Sequence, residues 1–213
     1  MMPVELVDGV GDHDAAVRAV VERLLAGQVV VIPTETVYGV AASATDPEAV
    51  EELFLRKGRS TERLMAVLVA DVAQARALAV IDERFERLAE AMWPGPLTMV
   101  LPRRPDAGLT LGLELEGPAT IGIRCPDHEL ARAVSAEVGP IVTTSANRSG
   151  EETPSDAVGA ATALGGDLLA VEGGPCTGVP STVLDLTVNP ARILRLGTIG
   201  PEELASVGVP VGR

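Results

Sequence analysis

The stretch Val29-Val30-Val31-Ile32-Pro33-Thr34-Glu35-Thr36 joins an unbroken apolar run to a short polar segment. The run is too continuous for a strand with one solvent-exposed face, so it predicts a buried strand. The proline that follows marks the end of this strand, and two threonines lie directly after it. The stretch therefore predicts a buried strand whose carboxyl end carries hydroxyl groups.

Helical and extended patterns alternate on both sides of this strand. A helix is expected before it, with Asp12 or Asp14 as the N-cap and Gly27 as the stop. Another is expected to begin at Asp46-Pro47-Glu48, where a capping residue, a proline and an early acid stand in order, and to run to about Arg56. The remaining patterns predict helices from 71, near 82–92, at 127–138 and at 155–164, and strands at 65–69, 97–101, 119–123, 140–143, 168–171, 181–186 and 192–195. This alternation predicts an α/β protein with a mixed or largely parallel sheet.

The length and the charge of the chain limit the classes of protein to which it can belong. At 213 residues it suits one large α/β domain or at most two small ones. Its 17 basic and 30 acidic residues give a net charge of −13, which argues against a surface that wraps duplex nucleic acid. Aromatic residues make up 2%, too few for a platform that stacks single-stranded bases. No apolar run approaches the ~20 residues that span a bilayer and no secretory pattern opens the chain, so we expect a cytoplasmic protein without a membrane segment.

The common motifs of nucleotide binding and catalysis are missing from the sequence. It contains no GxxxxGK[ST], and no GxGxxG follows a strand. Cys125 and Cys176 have no zinc-site spacing and are expected to be small buried side chains. His13 and His128, the only histidines, lack the spacing of a catalytic triad or a metal site, so we expect them to be solvated or capping residues in turns. The residues therefore predict no obvious nucleophile and no metal centre.

One group of basic residues stands out. Arg56, Lys57, Arg59 and Arg63 fall within eight positions, at the end of a predicted helix and in the loop that follows. Lys57 is the only lysine among the 17 basic residues. A compact ammonium is a point charge that suits a phosphate, whereas a helix C-terminus attracts cations through its dipole alone. The group is therefore compatible with a phosphate site or with an ordinary helix end.

A second group consists of hydroxyl and amide side chains at two predicted strand ends, 34–36 and 143–147. In α/β sheets such side chains often line ligand clefts, although they are also ordinary turn residues. Arg124 ends another buried-looking strand, 120–124, and a buried guanidinium needs a partner. A ligand carboxylate or phosphate is one candidate for that partner.

Several short motifs follow one another along the chain. They are Pro33-Thr34-Glu35-Thr36-Val37-Tyr38-Gly39, Lys57-Gly58-Arg59, Trp93-Pro94-Gly95-Pro96-Leu97-Thr98, Ser145-Ala146-Asn147, Gly178-Val179-Pro180-Ser181-Thr182-Val183 and Ile193-Leu194-Arg195-Leu196-Gly197. Together and in this order they resemble the YrdC-like threonylcarbamoyl-AMP synthase family. The resemblance extends from about Leu25 to Leu204.

The resemblance implies a fold and a reaction. The fold is a single twisted α/β domain, here 1–213, with a mixed or parallel sheet and a large concave basic cavity. The reaction forms L-threonylcarbamoyladenylate and pyrophosphate from L-threonine, bicarbonate and ATP, with Mg²⁺ bound to the nucleotide and no dedicated metal site on the protein. A partner transferase uses the product to modify tRNA, and direct RNA binding is expected to be weak or absent. Because the sequence stops near 213, we expect the short, single-domain form of the family.

The resemblance also assigns site residues. Lys57 and Arg59 are expected to be catalytic and to hold the ATP phosphates. The nucleotide site is completed by Arg63, Thr120, Ser145, Asn147, Ser155 and Arg195. The threonine site is formed by Thr36, Arg124, Thr143 and Ser181, with Arg124 holding the carboxylate. The absence of an obvious nucleophile fits this reaction: because the carbamate of threonine is itself the nucleophile, catalysis needs positioning and charge stabilisation rather than an activated side chain.

The sequence departs from the family pattern after the lysine motif. Ser60 stands where the family commonly has a proline, and Arg63-Leu64-Met65 stands in place of Asn-Pro-Leu. Leu68 occupies the position of a histidine near threonine, and leucine cannot hydrogen-bond a substrate. A paralogue that adenylates another carboxylate therefore stays open. An RNA-binding accessory protein that uses the same basic concavity is a further alternative, against which the net charge of −13 and the scarce aromatic residues argue.

Overall fold

Ten strands of one sheet and seven α-helices run through the residues that the computed structural model describes, 4–58, 65–111, 120–174 and 176–212. The strands are β1 (Glu5–Asp8), β2 (Val30–Ile32), β3 (Gly39–Ser43), β4 (Ala66–Leu68), β5 (Leu97–Pro102), β6 (Thr120–Arg124), β7 (Ile141–Ser145), β8 (Leu169–Glu172), β9 (Thr182–Asp185) and β10 (Arg192–Arg195). The helices are α1 (His13–Leu25), α2 (Pro47–Lys57), α3 (Val72–Leu78), α4 (Glu83–Met92), α5 (Glu129–Val138), α6 (Ala157–Ala163) and α7 (Pro201–Ser206). Each helix and strand predicted from the sequence is present, with its ends shifted by a few residues at most.

The strands follow the order β1-β8-β2-β3-β7-β4-β6-β5-β9-β10 across the sheet. Four pairs of neighbours are parallel: β1 with β8, β2 with β8, β4 with β6, and β5 with β9. The other five pairs of described strands are antiparallel. The prediction of an α/β protein with a mixed sheet is therefore confirmed.

The two faces of the sheet are covered by different helices. On one face, α2, α3, α4, α6 and α7 pack against strand residues such as Val67, Met99 and Val142 to form the larger core. On the other face, α1 and α5 form a second core with residues that include Ile32 and Ile141. Here α1 packs over β1, β2, β3 and β8, whereas α5 packs against β4. The second pair of helices therefore lies toward one half of the sheet.

The other half of this second face carries several small or polar residues among apolar ones. Successive residues of a strand point to opposite faces, so Thr98, between the core residues Leu97 and Met99, points away from the larger core. Gly122 of β6 and Thr143 of β7 alternate with apolar residues in the same way. A cavity forms over this half of the sheet.

Three elements have no counterpart in the sequence prediction: β1, β3 and α7. The residues of β3, Gly39-Val40-Ala41-Ala42-Ser43, are mostly small and have little intrinsic preference for a strand. They form one because the segment lies between β2 and β7, where all five residues are buried. Gly39 is required by this close packing, since a Cβ there would lie 2.8 Å from Oγ1 of Thr143.

Acidic capping residues set several helix starts. Asp12, rather than Asp14, caps α1 by accepting a hydrogen bond from the backbone N–H of Ala15. The helix expected from residue 155 begins at Ala157, because the side chain of Asp156 accepts from the backbone N–H of Gly159. None of the helices within the described ranges has the length and apolar character needed to cross a membrane.

Both ends of α2 are defined by local interactions, and this helix carries Lys57 as its last residue. At its start, Oδ1 of Asp46 accepts from the backbone N–H groups of Glu48 and Ala49 at 3.0 and 3.1 Å. At its end, Gly58 adopts a left-handed conformation with φ of 60°. The two caps therefore fix where α2 begins and ends, and with it the position of Lys57.

Replacing the α2 cap tests this arrangement. We expect Asp46→Ala to lower the free energy of unfolding by about 1 kcal/mol, because two backbone N–H groups lose their acceptor. Urea denaturation followed by circular dichroism measures the change. The matched control is Glu51→Ala, an exposed position on the same helix, which is expected to change stability by less than about 0.5 kcal/mol. Equal stability of Asp46→Ala and the control would contradict the role of the cap.

Candidate functional site

The cavity over the polar half of the sheet has a volume of about 420 Å³. Its walls are formed by residues of the central strands and by the segments around 34–37 and 180–183. Its charged lining residues, among those that the structure describes, are Arg124 and Arg195. The volume is in the range of small-molecule sites.

The four residues predicted to bind threonine all line this cavity: Thr36, Arg124, Thr143 and Ser181. They come from a loop, two strands and a second loop, and each is buried. Oγ1 of Thr143 donates to the carbonyl of Val40 at 3.1 Å, which fixes its rotamer. The fold therefore brings together four polar side chains that are far apart in the sequence.

Arg124 has partners within the protein. Its Nε donates to the carbonyl of Gly95 at 3.1 Å, and its Nη1 donates to Oγ1 of Thr36 at 3.0 Å. Its Nη2 lies 2.6 Å from Oε1 of Glu35 as an ion pair, although the angle does not make a hydrogen bond. The carboxylate of Glu35 is thus a partner of the Arg124 guanidinium within the protein, for which the sequence had suggested a ligand as one candidate. The cavity is lined by an arginine that is already positioned.

Lys57 is buried and joins α2 to the end of β7. Its Nζ donates to the backbone carbonyl of Ser145, to Oγ of Ser145 at 3.2 Å and to Oδ1 of Asn147 at 2.7 Å. The Nδ2 of Asn147 in turn donates to the carbonyls of Arg148 and Glu151. The Lys57 and Ser145-Ala146-Asn147 motifs therefore form one hydrogen-bonded unit.

The other residues predicted for the nucleotide site lie in different surroundings. Thr120 and Arg195 line the cavity, as does Ser145. Arg59 and Arg63 lie outside the residues that the structure describes. Ser155 is exposed in the turn before α6 and is not among the described lining residues, whereas Thr153 contacts Oδ1 of Asn147 at 3.4 Å. The assignment of these residues to a nucleotide stays a prediction.

Arg56, from the same basic group, has a structural role. Its Nε donates to Glu52 at 2.7 Å, and its guanidinium pairs with Asp167 at 2.5 and 3.2 Å. The hydrogen bond to Asp167 raises the pKa of Arg56, and the same pairing lowers the pKa of Asp167. Arg56 therefore ties α2 to the segment before β8.

Arg195 contacts the same loop as the threonine-site candidates. Its Nε and Nη2 donate to the carbonyl of Ser181 at 3.1 and 2.9 Å, and Nη2 also donates to Oγ of Ser181 at 3.1 Å. Desolvation lowers the pKa of Arg195, and the positive charge of Arg124 lowers it further. The two arginines of the cavity wall are therefore close enough to repel one another.

Tyr38 anchors the loop after β8 to the strand that borders the cavity. Its hydroxyl donates to Oε1 of Glu172 at 2.9 Å and accepts from the backbone N–H of Gly173 at 3.2 Å. Burial is the main cause that raises the pKa of Tyr38. Farther along the same loop, the backbone N–H of Gly178 donates to the carbonyl of Thr36 at 2.8 Å. These contacts hold the 34–36 and 176–181 segments side by side at the cavity.

Thr34, Glu35, Thr98 and Thr144 were not assigned a role in the site, although Thr34, Glu35 and Thr144 lie in the two polar segments that the sequence singled out. Thr34 and Thr98 line the cavity, and Oγ1 of Thr98 lies 2.9 Å from Oγ of Ser181. Glu35 pairs with Arg124. Thr98 could have been identified as the single hydroxyl in the apolar run 97–101, on the strand face opposite Met99. No local pattern would have paired Glu35 with an arginine 89 positions later.

The prediction that the histidines are solvated or capping residues is met only in part by His128. His128 is the N-cap residue of α5, but its side chain makes no capping hydrogen bond. It is half-buried rather than solvated, and its Nδ1 has no hydrogen-bond partner in the described part of the chain. Burial is the main cause that lowers the pKa of His128. The expectation for Cys125 is confirmed: it is buried, and burial raises the pKa of its thiol to about 11.

Residues 22–197 match the family profile described as telomere recombination, which groups the proteins Sua5, YciO and YrdC. A threonylcarbamoyl-AMP synthase of Bacillus subtilis is 38% identical to this chain over 215 residues, covering 98% of this chain and 61% of the relative. The crystal structure of Pyrococcus abyssi Sua5 complexed with L-threonine is similar with a TM-score of 0.85 and 33% identity, covering 99% of this chain and 63% of that one. This chain thus spans about three fifths of the length of these two proteins.

A third comparison concerns the fold alone. The crystal structure of Escherichia coli YciO is similar with a TM-score of 0.83 and 24% identity, covering 96% of this chain and all of that one. YciO therefore shares the overall fold of this chain along its whole length.

Titration of His128 tests the effect of burial at the start of α5. Because burial lowers its folded-state pKa, the unfolded chain binds the proton more readily below about pH 6.5. The contribution of His128 to stability is therefore complete above that pH and is lost as the pH falls, by at most about 1.4 kcal/mol per pH unit.

NMR titration of the imidazole resonances measures this pKa, with His13→Gln assigning the two signals. We expect the His128 signal to titrate below pH 6.5 and His128→Gln to reduce the loss of stability between pH 7 and pH 5. A His128 pKa at or above 6.5 would contradict the effect of burial.

Proposed function

This chain belongs to the Sua5/YciO/YrdC family, and we propose that it is an L-threonylcarbamoyladenylate synthase that uses L-threonine, bicarbonate and ATP. One observation supports this proposal above the others. The four candidate threonine residues surround one cavity, and Ser145, which lines the same cavity, is hydrogen-bonded to the buried Lys57. The similar Sua5 structure is described as a complex with L-threonine.

The proposed reaction does not require a side chain that acts as an acid, a base or a nucleophile. The amine of threonine forms a C–N bond with the carbon of bicarbonate, and water is released. A carbamate oxygen then forms a bond with the α-phosphorus of ATP while the bond to pyrophosphate breaks. Because the carbamate is already a nucleophile, the protein contributes orientation and positive charge. A cavity whose lining includes hydroxyl groups and arginines suits this task.

Each side of the cavity has a proposed role. Arg124 would bind the carboxylate of threonine, with hydroxyl groups of Thr36, Thr143 and Ser181 around the amino acid. Lys57, held by Ser145 and Asn147, would bind the phosphates as the nucleotide is positioned. Thr120 and Arg195, which line the same cavity, would also contact the nucleotide. Arg59, Arg63 and Ser155 stay candidates for the nucleotide from the sequence pattern.

Mg²⁺ is proposed to enter with the phosphates of ATP. Within the described ranges, no three His, Cys, Asp or Glu side chains form a group that could hold a metal ion. We therefore assign no residue to the metal and derive no step through it. The product is proposed to pass to a tRNA-modifying transferase in the cytoplasm, and residues 1–213 are proposed to form a single domain.

Leu68 favours a second candidate, a paralogue that adenylates another carboxylate. Its side chain lines the cavity and is 1% exposed. An apolar wall at this place offers no hydrogen bond to the hydroxyl of threonine. An amino acid without that hydroxyl would lose less binding free energy here than threonine does, because it has no hydroxyl to leave without a hydrogen bond.

Pyrophosphate release tests the proposed function. We expect release from ATP to require both L-threonine and bicarbonate, and mass spectrometry to detect threonylcarbamoyl-AMP. A panel of amino acids in the same assay separates the candidates: faster release with valine or 2-aminobutyrate than with threonine favours the paralogue. Salt-dependent binding of tRNA without pyrophosphate release would favour an RNA-binding protein instead.

Lys57→Ala tests the role of the buried ammonium. We expect turnover to fall by about 100-fold or more, because the phosphates lose a pre-positioned charge. The control is Arg104→Ala, which removes a cation from an exposed ion pair with Asp106 and should keep normal turnover. Circular dichroism and thermal melting check that both variants are folded. A folded Lys57→Ala protein with near-normal turnover would contradict the role assigned to Lys57.

A further inference from the structure

The two arginines of the cavity wall differ in their charge surroundings. Arg124 has a carboxylate next to its guanidinium, since Nη2 lies 2.6 Å from Oε1 of Glu35. Arg195 donates to neutral oxygen atoms of Ser181, and no acidic group among the described residues lies within ion-pair distance of it. Only one of the two arginines is therefore electrically compensated.

Glu35 is well placed to keep this compensation permanent. Its Oε1 accepts a hydrogen bond from the backbone N–H of Asp127 at 3.0 Å, at the start of α5, where the helix dipole also favours a negative charge. The side chain is 21% exposed and is not among the described residues that line the cavity. Glu35 thus stands behind Arg124 and cancels its charge without occupying the cavity.

Arg124 does not depend on Glu35 alone for its position. Its Nε and Nη1 are held by Gly95 and Thr36, at 3.1 and 3.0 Å. Its Nη2 and Oε2 of Glu35 are both buried without a hydrogen bond in the described structure. The main effect of Glu35 on Arg124 is therefore its charge rather than a hydrogen-bonded clamp.

We propose that Glu35 determines which anion each arginine accepts: it reserves Arg124 for the carboxylate of a zwitterion and leaves the polyphosphate to Arg195 and Lys57. This inference rests on the proposed function, in which an amino acid and a nucleotide share one cavity. A zwitterion has no net charge, so it is little repelled by Glu35. A polyphosphate carries several negative charges and is attracted to an uncompensated arginine but repelled from a compensated one.

Glu35→Gln separates charge from shape. Glutamine has a similar volume and keeps an oxygen acceptor for the N–H of Asp127. The positive charge of Arg124 is then no longer compensated. The matched control is Glu86→Gln, which removes one negative charge from the exposed pair with Arg76, 2.7 Å apart, on helices that cover the opposite face of the sheet. Glu86→Gln corrects for the change in net charge.

The probe is inorganic tripolyphosphate, titrated calorimetrically into each protein at fixed salt with and without L-threonine. We expect Glu35→Gln to bind it about tenfold more tightly than the wild type, because a close unpaired cation is added, and L-threonine to compete with it only in this variant. Glu86→Gln is expected to behave as the wild type does. Equal tripolyphosphate affinity in all three proteins would overturn the proposal.

Two further variants keep the test decisive if Glu35→Gln does not fold. Removing the compensated pair together, in Glu35→Gln/Arg124→Gln, should change tripolyphosphate affinity by less than about twofold, whereas Arg195→Gln should weaken it about tenfold. The reverse ranking would overturn the proposal. These titrations need no turnover, so they still assign the charges if no threonylcarbamoyl-AMP is formed, a result that would count against the proposed function alone.

Discussion

The alternation of side chains along a strand is the constraint on which the rest of this structure depends. In β5, residues such as Met99 pack into the larger core, so Thr98 must point to the opposite face, toward the cavity. A slip of one residue would bury the hydroxyl and expose the methionine. The pairing of β5 with β6 and β9 thus specifies the core and the cavity together.

Charge is handled inside the fold by partners from distant segments. The chain is strongly acidic, yet Lys57 and Arg124 are almost fully buried. A buried charge is costly unless it is paired or hydrogen-bonded. Here Ser145 and Asn147 accept hydrogen bonds from the ammonium, while Thr36 accepts one from the guanidinium and Glu35 balances its charge. The contacts that make these cations tolerable also hold the loops of the cavity against the sheet.

Local patterns were sufficient for most elements and failed where a segment depends on its neighbours. The cap, proline and acid at 46–48 predicted α2, because these effects act within one helical turn. The small residues 39–43 did not predict a strand, because β3 forms through its pairing with β2 and β7 rather than through local preference. His128 was expected to be a solvated or capping residue; it occupies the N-cap position of α5, but the packing around this helix half-buries its side chain.

The sequence by itself determined the α/β class, the helix starts and the set of polar segments from which the candidate site is drawn, since these follow from periodicity, capping and short motifs. Only the tertiary structure decided that Lys57 meets Asn147 and that Glu35 meets Arg124. These pairs lie about 90 positions apart. Their contact is set by the order and register of strands in the sheet, which depend on the packing of the whole chain rather than on any local pattern.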